Sequence, residues 1–102
     1  MIADPLHLLD CCLITDGAGA VVLVSEELTR DLAKPPVWIL GAGESPKFLS
    51  NKSDITVSGA VESGQAAFGE AGIRPEEVDV AMMYDSFTIT TLIGLEDLGF
   101  CA

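Results

Sequence analysis

Four consecutive residues, Tyr84, Asp85, Ser86 and Phe87, carry the strongest chemical signal in this sequence. They follow an apolar run, Val78 to Tyr84, and precede a helically spaced one. Side chains at a strand exit and helix entrance are placed to face a crevice, and a helix N-terminus there favours an anion. A phenol at Tyr84 can donate a hydrogen bond to a carbonyl or enolate oxygen. Asp85 has two readings: capping the helix or touching a substrate. Ser86 is not a candidate nucleophile, because YDSFT departs from the GxSxG elbow and has no histidine nearby. His7 stands alone, without a second histidine or an HExxH arrangement, and reads as a surface or core-edge residue. Cys11 and Cys12 are adjacent rather than spaced as CxxC and, with His7, are too sparse for a zinc site. They read as buried thiols, and Cys101 as a helix-end packing residue.

The elements that must position these residues follow from composition and periodicity. Asp16-Gly17 signals a turn before Ala18 to Val24, an apolar run of the kind found in strands covered on both faces. Ser25 to Leu32 suits a helical turn or two, with Ser25 as N-cap and Glu26 and Glu27 in its first turn. Pro35-Pro36 ends it, and residues 37–42 read as a second strand closed by Gly43. A polar loop is expected over residues 44–56. Residues 59–71 place Ala60, Ala67, Phe68 and Ala71 on one helical face, with Ser58 as candidate cap and Gly72 as candidate stop. Gly64 and Gly69 weaken this helix but allow close packing against a sheet. Arg74-Pro75 marks a turn before a third strand, residues 78–84. Ile89, Leu92, Ile93, Leu95 and Leu98 then recur at near-helical spacing, with Asp85, Ser86 or Thr88 as cap and Gly99 as stop. The order β-(short α)-β-α-β-α predicts an α/β fold, a mixed sheet flanked by helices.

Composition narrows the function classes. The chain has 102 residues and is 49% hydrophobic, which allows a modest core and excludes compositional disorder. Sixteen acids against five Lys and Arg give a formal net charge of -11. A phosphate backbone is repelled, which argues against nucleic acid, and an anionic membrane is an equally poor partner. Three cysteines, two of them adjacent, are not a secreted disulfide framework. No signal-peptide pattern opens the sequence, and the default expectation is a cytoplasmic protein.

Two segments together resemble one family. LLDCCLITDGAGAVVLVSEE is similar to the part of thiolase-superfamily enzymes that leads into the last strand of their first half. AGIRPEEVDVAMMYDSFTITTLIGLEDLGFCA is similar to the part of the second half that carries an acid-Phe motif after a strand. The wording is nearest to the lipid-transfer-type, acetyl-CoA acetyltransferase-like branch. The resemblance implies a partial thiolase-like fold: residues 1–34 would end the N-terminal half, and residues 35–102 would begin the C-terminal half.

The resemblance also implies a parent acyltransferase acting on coenzyme A thioesters as substrates, with no other cofactor. Such enzymes use a nucleophilic cysteine, a histidine in a Gly-His-Pro segment and a late second cysteine. None of these matches a residue here: Cys11, Cys12 and Cys101 do not occupy the family's positions, and Gly-His-Pro is absent. The chain is therefore expected to be a fragment, inactive alone, whose net charge leaves the CoA phosphates to basic groups elsewhere. Tyr84 and Asp85 remain as the implied catalytic residues. Familiar thiolases carry Asn or His at the Tyr84 position, and this departure points to an alternative class, retro-aldolases that cleave acyl-CoA side chains. A non-catalytic interaction module is a third reading. Exposed edges of a partial sheet would make the chain a homo-oligomer.

Overall fold

Helices α1, Ala60–Ala71, and α2, Thr88–Asp97, dominate the computed structural model, which describes residues 1–46 and 54–101. Helix α1 forms where the alanine-rich pattern predicts it, and Ser58 organises its start. The Ser58 hydroxyl accepts a hydrogen bond from the Ala60 amide at 3.1 Å. It also donates to Asp97 Oδ2 at 2.6 Å, and the Ser58 amide donates to the same oxygen at 2.6 Å. The N-cap position is taken by Gly59 rather than the expected Ser58, which sits one residue earlier and ties the start of α1 to the last residue of α2. Gly72 ends α1 in the left-handed region at φ +67°, with its amide bonded to the Phe68 carbonyl at 2.9 Å.

Helix α2 starts from Phe87, which is extended (φ −142°, ψ 156°) and makes no side-chain cap. The capping expected from Asp85, Ser86 or Thr88 is not found. The Ser86 and Thr90 hydroxyls are instead hydrogen-bonded to each other at 3.1 Å, and Thr88 Oγ1 donates to Asp10 Oδ1 at 3.4 Å. Gly99, at φ +81°, follows the end of α2 and donates to the Glu96 carbonyl at 2.9 Å. Three short 3₁₀ turns complete the regular elements among the described residues: Leu8–Asp10, Glu26–Asp31 and Pro75–Glu77.

The helices meet at a glycine. Gly64 is the one buried residue among those described, and a Cβ there would stand 2.5 Å from Leu98 Cδ2. Phe68 and Phe100 pack edge to face beside it, with centroids 6.2 Å apart and planes at 80°. On another side of α1 passes the segment around Gly41 and Gly43. Side chains at these positions would strike the Ala67 and Ser63 carbonyls, and the Ala42 amide donates to Glu70 Oε2 at 2.8 Å.

The expected mixed sheet is overturned. Among the described residues there is no β-strand, only isolated bridges between Ala3 and Leu6 and between Cys11 and Phe87. The physical reason is that a helix satisfies its backbone within itself, whereas a strand exists only by pairing with a neighbour. Residues 18–24, 37–42 and 78–84 have strand composition but no ladder partner. Their side chains are left outside: Val22 is 88% exposed and Val37 94%. The accessible surface is 8981 Å², against about 5,500 Å² for a compact monomer of this size. The radius of gyration is 17.2 Å, against about 13 Å for a compact domain of this length. The close packing foreseen between a helix and a sheet is made by Gly64 against α2 instead, while Gly69 has nothing near its Cβ position. Residues 47–53 of the expected polar loop lie outside the described residues.

Candidate functional site

The N-terminal segment is held against the entrance of α2. The Cys12 amide donates to the Ser86 carbonyl at 3.1 Å, and Cys11 and Phe87 form an antiparallel bridge. The bond from Thr88 to Asp10 adds a side-chain tie at the same place. Asp10 is itself held in its 3₁₀ turn, where it accepts the His7 amide at 2.8 Å. His7 belongs to that turn and takes no part in the site.

These ties bring two distant segments around one open hollow of about 480 Å³. It is lined by Cys12, Leu13, Thr15, Tyr84 and Asp85. The volume falls within the range of small-molecule sites. The structure therefore brings Tyr84 and Asp85 to the same hollow, both exposed. The chemistry available is a phenol that can donate to an oxyanion, a carboxylate that can accept a proton, and a thiol and a hydroxyl on the facing wall. Ser86 is half-buried with its hydroxyl bonded to Thr90, consistent with a positioning element rather than a nucleophile.

Cys12 and Thr15 are the residues that sequence reasoning left out of the site. Cys12 is exposed and Cys11 half-buried, which corrects the expectation of buried thiols. Spacing could not have placed Cys12 there, because the contact is made by backbone pairing between remote segments. The signal lay in the two family-like stretches taken jointly. Among the described residues, no group of His, Cys, Asp and Glu side chains could hold a metal ion. None of the described helices is long and apolar enough to cross a membrane.

A family model described as "Thiolase C-terminal domain-like" matches residues 41–102. The steroid side-chain-cleaving aldolase of Thermomonospora curvata is 42% identical over 99% of this chain and 28% of its own length. The acetyl-CoA acetyltransferase of Methanothermobacter thermautotrophicus is 35% identical over 98% of this chain and 27% of its own length. Among solved structures, the chain superposes on an Ltp2-ChsH2(DUF35) aldolase with a TM-score of 0.88 and 40% identity. That match covers all of this chain and 28% of the other. The chain thus spans little more than a quarter of the length of these relatives.

Proposed function

We propose that this chain, which belongs to the thiolase superfamily, supplies Tyr84 and Asp85 to a site that cleaves a carbon–carbon bond of an acyl-CoA thioester by a retro-aldol reaction. The observation that carries this reading is the shared hollow of Tyr84 and Asp85 at the entrance of α2, in a chain 42% identical to a side-chain-cleaving aldolase. In such a reaction a β-hydroxyl gives up its proton and becomes a carbonyl. The Cα–Cβ bond breaks, and its electron pair moves into the thioester as an enolate. Protonation at Cα then releases a shortened acyl-CoA. Asp85 accepts the hydroxyl proton, and Tyr84 donates a hydrogen bond to the enolate oxygen as charge develops there.

This reading requires groups beyond the 102 residues of this sequence. A net charge of -11 repels the phosphates of CoA, so cationic groups are supplied from outside this chain. The exposed valines and isoleucines of residues 18–24 and 37–42 need apolar cover. Acyl transfer is the second reading, favoured by the similarity to an acetyl-CoA acetyltransferase. It requires a nucleophilic cysteine that the matched motifs here do not provide.

A chimera tests the reading. The matched segment of the Thermomonospora curvata aldolase is replaced by this chain, and the product is assayed with a tertiary β-hydroxyacyl-CoA. Release of the ketone is expected, with Tyr84→Phe lowering kcat at least about 100-fold, as loss of a donor to a developing oxyanion does. A folded chimera that thiolyses acetoacetyl-CoA but leaves the β-hydroxyacyl-CoA intact would establish acyl transfer instead. A folded chimera inactive in both assays would leave a non-catalytic interaction module.

A further inference from the structure

The hollow of Tyr84 and Asp85 has two walls from segments remote in sequence. Cys12, Leu13 and Thr15 form one, and Tyr84 and Asp85 form the other. The ties that hold them together lie at the entrance of α2. Two are backbone ties: the bond from the Cys12 amide to the Ser86 carbonyl at 3.1 Å, and the bridge of Cys11 with Phe87. Any residue with an amide and a carbonyl could make them. The third is made by side chains and depends on their identity: Thr88 Oγ1 donates to Asp10 Oδ1 at 3.4 Å.

Asp10 uses both of its oxygens. Oδ2 accepts the His7 amide at 2.8 Å and closes the 3₁₀ turn Leu8–Asp10. Oδ1 reaches Thr88, the first residue of α2. Helix α2 has no such group of its own. Phe87 at its N-cap makes no side-chain bond, and its first turn holds no acidic residue. A carboxylate is favoured at a helix start, where the first amides have no partner inside the helix. Asp10 thus brings from a remote segment the charge that a helix start ordinarily takes from its own flank.

We infer that Asp10 is a positioning residue for the site: through Thr88 it sets the wall of Cys12 and Thr15 against Tyr84 and Asp85. Asp10 does not itself line the hollow. The inference rests on the retro-aldol reading given above and adds to it the side chain that fixes the spacing of the two walls. Asp10 lies just before one wall in sequence, and Thr88 just after the other, so joining them restrains both. The carboxylate is needed for its two acceptor oxygens, since one is committed to the turn. Asparagine has a single acceptor oxygen and cannot make both bonds in this arrangement.

The test has two arms. In the whole chain, amide hydrogen exchange is followed by NMR at Cys12, bonded to Ser86, and at Gly72, bonded to Phe68 at the end of α1. Asp10→Ala is expected to speed exchange at Cys12 at least about fivefold, by local opening, and to leave Gly72 unchanged. In the chimera described above, Asp10→Ala should lower kcat about tenfold or more through misplacement of the reacting groups. KM should stay within about twofold, because Asp10 does not touch substrate. Thr88→Val should match Asp10→Ala, the two together should cost little more than either alone, and Thr88→Ser, which keeps the hydroxyl, should restore most of the rate. Unchanged exchange at Cys12, or faster exchange at Cys12 and Gly72 alike, overturns the inference. An active chimera whose kcat is indifferent to Asp10→Ala also overturns it and leaves the retro-aldol reading standing. A folded chimera inactive with all of its parent residues overturns the two together.

Discussion

The pair of helices and the unpaired apolar segments are built from similar residue types and reach opposite outcomes. Helices α1 and α2 close their own backbone hydrogen bonds. They then need only a few side-chain contacts to meet: Gly64 against Leu98, Phe68 against Phe100, and Ser58 joined to Asp97. Residues 18–24 and 37–42 are at least as apolar, yet no large side chain among the described residues is buried. Hydrophobicity alone does not build a core. Apolar strands become interior only when a neighbour pairs with their edges and another layer covers their faces. The helical pair carries the side-chain contacts between elements, and the unpaired segments leave their large apolar side chains exposed.

The sharpest way to break this contrast is at Gly64. Gly64→Leu forces a side chain into the space held by Leu98. A loss of about 3 kcal/mol is expected, at the upper end of ordinary overpacking costs, measured by urea unfolding with far-ultraviolet circular dichroism. Unchanged stability would show that the helices do not meet in solution as described. A smaller loss, about 1–2 kcal/mol, is expected for Asp97→Ala, which removes both hydrogen bonds to Ser58 at a half-buried position. Asp97→Asn should restore part of it, because the amide oxygen still accepts. The smallest effect on the unfolding transition, within about 0.5 kcal/mol, is expected for Val22→Asp, because that side chain touches little. The same substitution should weaken self-association, which we expect of the parent chain at micromolar concentration from its exposed apolar surface. Sedimentation velocity decides this: a strictly monomeric parent chain would remove that expectation.

The candidate site divides along a similar line. Tyr84 and Asp85 were legible because an apolar run, a short polar stretch and a helically spaced run occur in immediate succession, so local order places them at a helix entrance. That no side chain caps α2 was not legible, because a side chain's choice between its own helix and a facing wall depends on what that wall offers. Ser86 finds Thr90, and Thr88 finds Asp10, neither of which follows from the residues adjacent to the helix start. Cys12 illustrates the same limit more strongly. Its placement in the hollow of Tyr84 depends on ties between segments remote in sequence: the Cys12–Ser86 backbone bond, the Cys11–Phe87 bridge and the Thr88–Asp10 bond.

What the amino-acid sequence determined by itself is therefore the set of features with short-range causes. These are the extents of α1 and α2, their ends at Gly72 and Gly99, the acidic charge, and the motif at Tyr84 and Asp85. Helical hydrogen bonds span four residues and a glycine stop acts within one turn, so their information is local. Only the tertiary structure decided that the strand-like runs stay unladdered, that Gly64 receives Leu98 rather than a sheet, and that Cys12 faces Tyr84. Each of these depends on which remote segment arrives as a neighbour, and the same apolar run is compatible with a paired strand or an exposed one until that neighbour is known.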